Sequence, residues 1–324
     1  MSDSLFPLDR QIAEALSLGR RFSLPASYQG VSKILLCGMG GSAIGGNVVR
    51  TLARRRMNLP FVIYRTSEMP PWLDERTLAI FSSYSGNTPE VLGALRGALK
   101  GRAKIVTLTS GGELARLADR KKLPCFLIPA GLPPRCAVGY LTFSLLSIFL
   151  KLGRLTLPGP EVREILDSIR SVSPGQAEKI ALQMKERSIY LYGVSGITEA
   201  LCLRWRSQLA ENAKTLASHH LLPESFHNEI EGWRFPSFAV RRSLAVFFED
   251  REDPARIRRQ RRFFQKLIRR RGGRVLSLPA KGRSLLARVF YLIALGDRVS
   301  FELARLNGVE ALPIPSIEAV KKII

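Results

Sequence analysis

The first half of the chain alternates short apolar runs with amphipathic stretches of helical length, and this alternation restricts the fold more than any other feature. The predicted strands are residues 33–37, 60–64, 77–82, 103–108 and 124–128. Apolar residues at helical spacing predict helices at 43–55, 88–100, 113–121 and 138–152. Strands that alternate with helices are typical of βαβ units. We therefore expect an α/β fold with a mainly parallel sheet.

The second half repeats the alternation less regularly. Its predicted strands are residues 188–192, 238–248 and 275–278, and its predicted helices are 160–172, 197–216, 254–271 and 284–306. Residues 193–196 link a strand to a helix, as residues 38–42 do in the first half, which suggests a duplicated α/β fold. A length of 324 residues suits two domains. The Pro158-Gly159-Pro160 breakers near the midpoint predict domains at 1–156 and 157–324.

Composition excludes several classes of protein. A hydrophobic fraction of 46% argues against a disordered chain, and four scattered cysteines without a C-x-x-C pair argue against a disulfide scaffold. The longest apolar stretch, 138–150, is interrupted by Thr142, Ser144 and Ser147 and is too short to span a bilayer. No secretory signal is apparent at residues 1–4. We expect a soluble, cytoplasmic protein with reduced thiols and no membrane partner.

The formal net charge of +23 would attract polyanions. The basic excess is spread over both halves, although residues 251–274 hold 11 basic and 2 acidic residues. Within that segment Ile257, Phe264 and Ile268 recur at helical spacing, which predicts a surface helix with a solvated arginine face. Because a phosphorylated small substrate would use the same field, nucleic acid is not the partner expected for the main function.

Two loops have the composition of a phosphate site. Gly38-Met-Gly-Gly-Ser42 and Ser83-Tyr-Ser-Gly-Asn-Thr88 each leave a strand and enter a helix, where backbone N–H groups and the helix dipole favour an anion. Neutral hydroxyl donors without a lysine suit one terminal phosphate better than a pyrophosphate. The candidate phosphate-binding residues are Gly40, Gly41, Ser42, Ser83, Ser85 and Thr88.

Two other interpretations of these loops stay open. Gly38-x-Gly40-x-x-Ala43 also satisfies the loose dinucleotide pattern, but the next strand ends at Tyr64-Arg65 instead of an acidic residue for a ribose. The hydroxyl residues also suit helix caps and turns. All three histidines lie between residues 219 and 227, near Glu211 and Glu224, yet none has a known metal-binding spacing. No metal is expected.

The two loops resemble those of the sugar isomerase (SIS) fold, and the whole chain resembles the bifunctional phosphoglucose/phosphomannose isomerase family. The segments that carry this resemblance span nearly the full length: Pro134-Arg135, Glu211-Asn-Ala-Lys214, His227-Asn228 followed by Glu231-Gly232, and residues 317–321. The resemblance implies two tandem SIS domains, each a mainly parallel sheet flanked by helices in a flavodoxin-like or Rossmann-like three-layer arrangement.

The resemblance also implies an enzyme that moves the carbonyl of a hexose 6-phosphate between C1 and C2 through an enediolate. Glu211 matches the family's base, and His227 matches the residue that assists ring opening. Arg135 matches a cation beside the enediolate, and Lys321 matches a C-terminal lysine that reaches the ring oxygens. The family is homodimeric, and each His227 would serve the neighbour's site. No cofactor is implied.

One departure from the family pattern concerns substrate range. Members with strong mannose activity can have a threonine shortly before the terminal helix, where this chain has Pro313-Ile314-Pro315. Ile314 therefore leaves the use of mannose 6-phosphate open. Two alternatives to the phosphoglucose isomerase also stay open: a sugar-phosphate-binding SIS regulator without activity, and an SIS isomerase that acts on another sugar phosphate.

Overall fold

A computed structural model describes residues 7–323. The chain divides into two compact units between Gly159 and Pro160, and the boundary predicted from the sequence, after residue 156, precedes this division. Each unit contains one sheet whose strand pairs are all parallel. Helices connect and flank the strands of both sheets. The predicted α/β class with two tandem parallel sheets is confirmed.

The first unit has a five-stranded sheet in the order β2-β1-β3-β4-β5. Its strands are β1 (Lys33–Gly38), β2 (Phe61–Tyr64), β3 (Thr77–Ser82), β4 (Lys104–Thr109) and β5 (Cys125–Leu127). Its helices are α1 (Leu8–Arg21), α2 (Gly40–Arg56), α3 (Pro89–Ala98), α4 (Gly112–Arg120) and α5 (Val138–Lys151). The strand order reverses between β1 and β3, which is where sheets of this order bind ligands.

Burial of the sheet explains why the strands of the first unit are continuously apolar. Every residue of β3 is buried, as expected for a parallel strand covered on both faces. On one face Cys37 and Phe81 pack against Val91 and Leu95 of α3. α5 is buried over most of its length, so its apolar sequence belongs to a core helix. No helix among residues 7–323 is both long and apolar enough to cross a membrane.

The second unit has a four-stranded sheet in the order β7-β6-β8-β9. Its strands are β6 (Ser188–Val194), β7 (Ala217–Leu222), β8 (Ser243–Glu249) and β9 (Arg274–Pro279). The helices after α5 in the chain are α6 (Gly159–Arg170), α7 (Pro174–Met184), α8 (Glu199–Glu211), α9 (Glu229–Gly232), α10 (Ser237–Arg241), α11 (Ala255–Arg270), α12 (Leu285–Leu306) and α13 (Pro315–Lys321). The order around β6 repeats the order around β1.

Two of the predicted elements are wrong in part. Residues 238–248 were predicted as one strand, but Ser237–Arg241 is a helix and only Ser243–Glu249 is a strand. The carbonyl of Pro236 accepts hydrogen bonds from the N–H groups of Ala239 and Val240, which begins a helical turn. The helix predicted at 197–216 ends at Glu211 because Lys214 adopts a φ of 52°, and residues 217–222 form β7. α1 and α7 are not among the predicted helices.

Candidate active site

The two predicted phosphate loops start side by side at the end of the first sheet. Gly38 and Ser82, the last residues of β1 and β3, are register partners in adjacent parallel strands. The loops that follow them therefore leave the sheet at the point where the strand order reverses. The structure brings together the six residues predicted to bind phosphate at this end of the first unit.

The first loop fits closely against a neighbouring turn and against the second loop. A Cβ atom on Gly41 would lie 2.6 Å from the carbonyl oxygen of Pro134, so only glycine fits there without a shift of backbone. Gly40 has a φ of 47°, in the left-handed region that glycine adopts readily. Ser42 is buried and its Oγ accepts a hydrogen bond from the N–H of Tyr84 at 3.1 Å. The hydroxyl hydrogen of Ser42 is not used by this bond.

The second loop is held in shape by its own hydroxyl groups. The Oγ of Ser83 lies 2.7 Å from Thr88 Oγ1 and accepts from the N–H of Gly86 at 3.1 Å. The Oγ of Ser85 accepts from the N–H of Asn87 at 3.3 Å. Thr88 is the N-cap of α3, but its side chain accepts no capping bond there. The loop therefore offers hydroxyl donors and a helix N-terminus at one place.

The turn that carries Arg135 lies against the first loop. Pro134–Cys136 is a 3₁₀ turn, and the Arg135 Cα is 3.5 Å from the position of a Cβ on Gly41. Arg135 is buried, with 4% of its surface exposed. Gln11 fixes the turn, because its side chain donates to the carbonyl of Cys136 at 2.9 Å and accepts from Gly139 N–H at 3.1 Å. The predicted cation thus belongs to the same end of the first unit as both loops.

Glu211 is the last residue of α8, in the second unit. Lys214 connects its backbone to the segment before α13: the ammonium group donates to the carbonyls of Glu211 at 2.6 Å, Pro313 at 2.8 Å and Ala311 at 3.2 Å. These three bonds use all the N–H donors of a lysine. Lys214 lies in the Glu211-Asn-Ala-Lys214 motif of the family resemblance, but no role is predicted for it from the sequence. It holds the predicted base beside the segment that leads to Lys321.

His227 is exposed and follows a 3₁₀ turn at Glu224–Phe226 after β7. The neighbouring Glu229 anchors this loop to the sheet, because its carboxylate accepts from the hydroxyl of Tyr192 and pairs with His220. Trp233 donates to the same Tyr192 oxygen at 2.7 Å. The sequence does not predict these contacts of Glu229. Its only indication of a cluster here is that all three histidines lie between residues 219 and 227.

Lys321 is the last residue of α13, which has no buried residue. Ile314, at the position of the family's threonine, is the N-cap of this helix. The structure thus brings the phosphate loops together with Arg135 in the first unit. Glu211, His227 and Lys321 belong to three separate segments of the second unit.

Two titratable groups near these segments, His219 and Cys37, have pKa values that burial shifts. Burial, together with Arg206 and His220, lowers the pKa of His219. Burial, with a smaller contribution from Glu90, raises the pKa of the Cys37 thiol to about 12, so this residue at the end of β1 is not a thiolate nucleophile at neutral pH. No group of three or more His, Cys, Asp or Glu side chains in the described part of the chain could hold a metal ion.

Comparison with known structures supports the class of fold. The C-terminal domain of glucosamine-fructose-6-phosphate aminotransferase from Francisella tularensis superposes with a TM-score of 0.73 at 15% identity, covering 94% of both chains. The model of the bacterial phospho-glucose isomerase C-terminal SIS domain matches residues 174–324. The fold is therefore that of the SIS proteins, with two such domains in tandem.

Two relatives identify the family. The bifunctional phosphoglucose/phosphomannose isomerase of Caldicellulosiruptor bescii is 34% identical, over 99% of this chain and 98% of the relative. The enzyme of the same description from Aquifex aeolicus is 30% identical over 89% of each chain. This chain belongs to the bifunctional phosphoglucose/phosphomannose isomerase family. It is an isomerase of the intramolecular oxidoreductase class.

Proposed function

We propose that the protein interconverts glucose 6-phosphate and fructose 6-phosphate through an enediolate, with Glu211 as the base. The main support for a phosphorylated substrate is the pair of loops that follow β1 and β3, where the strand order reverses. The two loops are linked by the hydrogen bond from Tyr84 N–H to Ser42 Oγ. A phosphate monoester accepts hydrogen bonds from hydroxyl and backbone N–H donors, and these loops present both. Full-length similarity to phosphoglucose/phosphomannose isomerases supports the sugar.

The proposed chemistry needs a base and a stabilised enediolate. Glu211 removes the proton from C2 of the open aldose, the C–H electrons form the C1–C2 double bond, and the carbonyl π electrons move to O1. The proton then returns at C1, and the proton that O2 releases as it becomes the ketone is taken up by O1, so no atom is gained or lost. A carboxylate base typically contributes about 10²–10⁴-fold in rate. Arg135 is assigned to the charge that develops on the enediolate oxygens.

Lys321 is proposed to contact the sugar ring oxygens. Its helix, α13, has no buried residue, and the preceding segment is tied to Glu211 through Lys214. This connection supports a site in which the base and the C-terminal helix act on the same sugar. Replacing Lys214 with methionine should therefore lower kcat, because the backbone at Glu211 would lose its connection to the segment before α13.

The test of this function is conversion of fructose 6-phosphate by the full chain in EDTA, with glucose 6-phosphate and mannose 6-phosphate measured separately. The wild type should form glucose 6-phosphate, and Glu211→Gln should lose at least about a hundred-fold in kcat. The matched control is Glu310→Gln, the same change at an exposed glutamate of the second unit. Full activity in Glu211→Gln would refute the proposed base.

The same assay separates the alternatives. Formation of glucose 6-phosphate alone would indicate that Ile314 narrows the substrate range, and Ile314→Thr should then gain mannose 6-phosphate activity. Both products from the wild type would show that the threonine is dispensable. Binding of fructose 6-phosphate without any product would favour a sugar-phosphate-binding regulator.

We also propose a homodimer in which His227 acts in the partner's site, and its exposed position after β7 supports this. The proposal has a sharp test, because a shared site can be rebuilt from two defective chains. Mixing inactive Glu211→Gln with inactive His227→Ala under subunit exchange should restore activity, since one site of each mixed dimer has both residues intact. A mixture that stays inactive while mixed dimers form would show that His227 serves its own chain.

A further inference from the structure

Helix α11 is the most cationic element of the second unit. It contains eight Lys and Arg residues and no Asp or Glu. Its apolar residues Ile257, Phe264 and Ile268 are buried in the core. Six cations are exposed on the opposite side of the helix: Arg256, Arg259, Arg262, Lys266, Arg269 and Arg270. We call these six residues, with the exposed Phe263 among them, the α11 cationic face.

The acidic residues closest in sequence do not neutralise this face. Buried Arg288 pairs with Asp250 at 2.7 Å and with Glu252 at 2.6 Å. Buried Arg261 pairs with Asp253 and lies 3.5 Å from Glu249. Both arginines are almost completely buried, and they are the ion-pair partners of the carboxylates of residues 249–253. Within residues 7–323, no carboxylate forms an ion pair with the six cations of the face.

Phe263 gives the face a second property. It is 61% exposed and lies at helical spacing from Arg259, four residues before it, and from Lys266, three residues after it. A flat aromatic ring among cations is the arrangement that binds single strands, because bases stack on the ring while the cations contact the phosphates.

These observations favour a polynucleotide over a membrane surface as the partner of the α11 cationic face. An amphipathic helix binds a bilayer by inserting its apolar face, but the apolar face of α11 already packs in the core around Phe264. One phenylalanine leaves little apolar area to insert. We propose that the α11 cationic face binds single-stranded polynucleotides, as a function that is independent of the isomerase reaction.

The test measures binding of the full chain to a fluorescein-labelled single strand of about twenty thymidines by fluorescence anisotropy, at several salt concentrations. The triple variant R259E/R262E/K266E removes three cations of the α11 cationic face, two of which lie at helical spacing from Phe263. It should bind at least about ten-fold more weakly than the wild type, and the slope of log K against log salt should fall by about two. Isomerase activity should not change.

The matched control is R163E/K179E/K185E, which changes the net charge equally at three exposed positions of the second unit on α6, α7 and the turn after α7. It should retain binding within about three-fold, since charges outside the face act only through the screened general field. A second variant, Phe263→Ala, keeps every charge and should weaken single-strand binding about five-fold while affecting a duplex of the same length less.

Three outcomes would overturn the proposal. Equal losses in the triple variant and its control would mean that only the overall charge attracts the strand. An unchanged affinity in Phe263→Ala would remove the stacking role. Binding to vesicles of anionic phospholipid without binding to the oligonucleotide would assign the face to a membrane surface.

Discussion

The two units have the same strand order around their first strand, but they differ in what occupies the point where that order reverses. In the first unit the loops after β1 and β3 carry glycines and hydroxyl groups. In the second unit the loop after β6 is closed by its own side chains: Thr198 Oγ1 accepts from Val194 N–H at 2.7 Å and Glu199 accepts from Gly196 N–H at 3.2 Å.

The loop after β8 continues the contrast. It contains Asp250 and Asp253, which pair with the buried Arg288 and Arg261. In the loop after β8, the anions that the arginines bind are thus carboxylates of the protein itself and not an external ligand. We call the point where the strand order reverses the junction of each unit. The junction of the first unit is the proposed anion site, whereas the junction of the second unit is neutralised by its own ion pairs.

The largest expected effect comes from breaking the ion pairs of the second unit. Arg288→Met leaves Asp250 buried without its cation and should lower the free energy of unfolding by about 3–5 kcal/mol. The measurement is chemical denaturation of the variant and the wild type. The double variant Asp250→Asn/Arg288→Met should recover part of the loss. If Arg288→Met is as stable as the wild type, the junction is not held by these charges.

A smaller but still large effect is expected at Gly41. The Cβ of Gly41→Ala would lie 2.6 Å from the Pro134 oxygen and would displace the turn that carries Arg135. A misplaced cation should lower kcat/KM about a hundred-fold. Gly193→Ala is the counterpart in β6, where the Cβ would lie 2.8 Å from the carbonyl of Thr198.

Because Gly193 belongs to the closed junction, Gly193→Ala should cost stability, about 1–3 kcal/mol, and leave the KM for the sugar phosphate unchanged. The pair is compared by steady-state kinetics and thermal unfolding. Kinetic loss in both variants, in proportion to their instability, would contradict the distinction between the two junctions.

An intermediate effect is expected at the hydroxyl groups. Ser83→Ala removes a partner of Thr88 and a proposed donor to phosphate, so KM should rise about ten-fold with little change in kcat. Thr198→Val keeps the shape of its side chain but loses the bond to Val194 N–H, so it should lower stability without raising KM. Kinetic constants and unfolding curves for both variants check this prediction. A normal KM in Ser83→Ala would remove the second loop from the phosphate site.

The smallest expected effect is on the pH dependence of stability. It concerns the second unit, which contains all three histidines. The lowered pKa of His219 means that the unfolded chain binds a proton more readily than the folded chain. The wild type should therefore lose stability as the pH falls through the ordinary histidine pKa of 6.5. His219→Gln should lose less over the same interval in thermal unfolding at pH 7, 6 and 5. Equal losses would show that His219 does not carry the acid sensitivity.

The sequence predicted the first unit more accurately than the second for a physical reason. β1 and β3 are buried on both faces, so they appear as apolar runs such as Thr77–Ser82, which was predicted with the correct bounds. β7 carries Ser218, His219 and His220, and its side chains are mostly half-buried. Such a strand has no apolar signature, so no strand is predicted at 217–222, and the helix predicted at 197–216 runs five residues past the end of α8 at Glu211.

The candidate site was predictable as far as local composition defines it. Glycines and hydroxyl residues after a strand indicate a phosphate loop before any contact is known. The contacts that hold Arg135 and Glu211 come from residues distant in sequence, Gln11 on Cys136 and Lys214 on Pro313, and no local pattern encodes those contacts. Glu211, His227, Arg135 and Lys321 were assigned by resemblance to a family, so their roles remain proposals.

The most direct test of the contrast between the two junctions is the stoichiometry of sugar-phosphate binding. Isothermal titration of Glu211→Gln with fructose 6-phosphate would measure binding without turnover. The account predicts one hexose phosphate per chain, weakened by Ser83→Ala and unaffected by Thr198→Val. Two equivalent sites per chain, or one site that Thr198→Val weakens and Ser83→Ala does not, would contradict it.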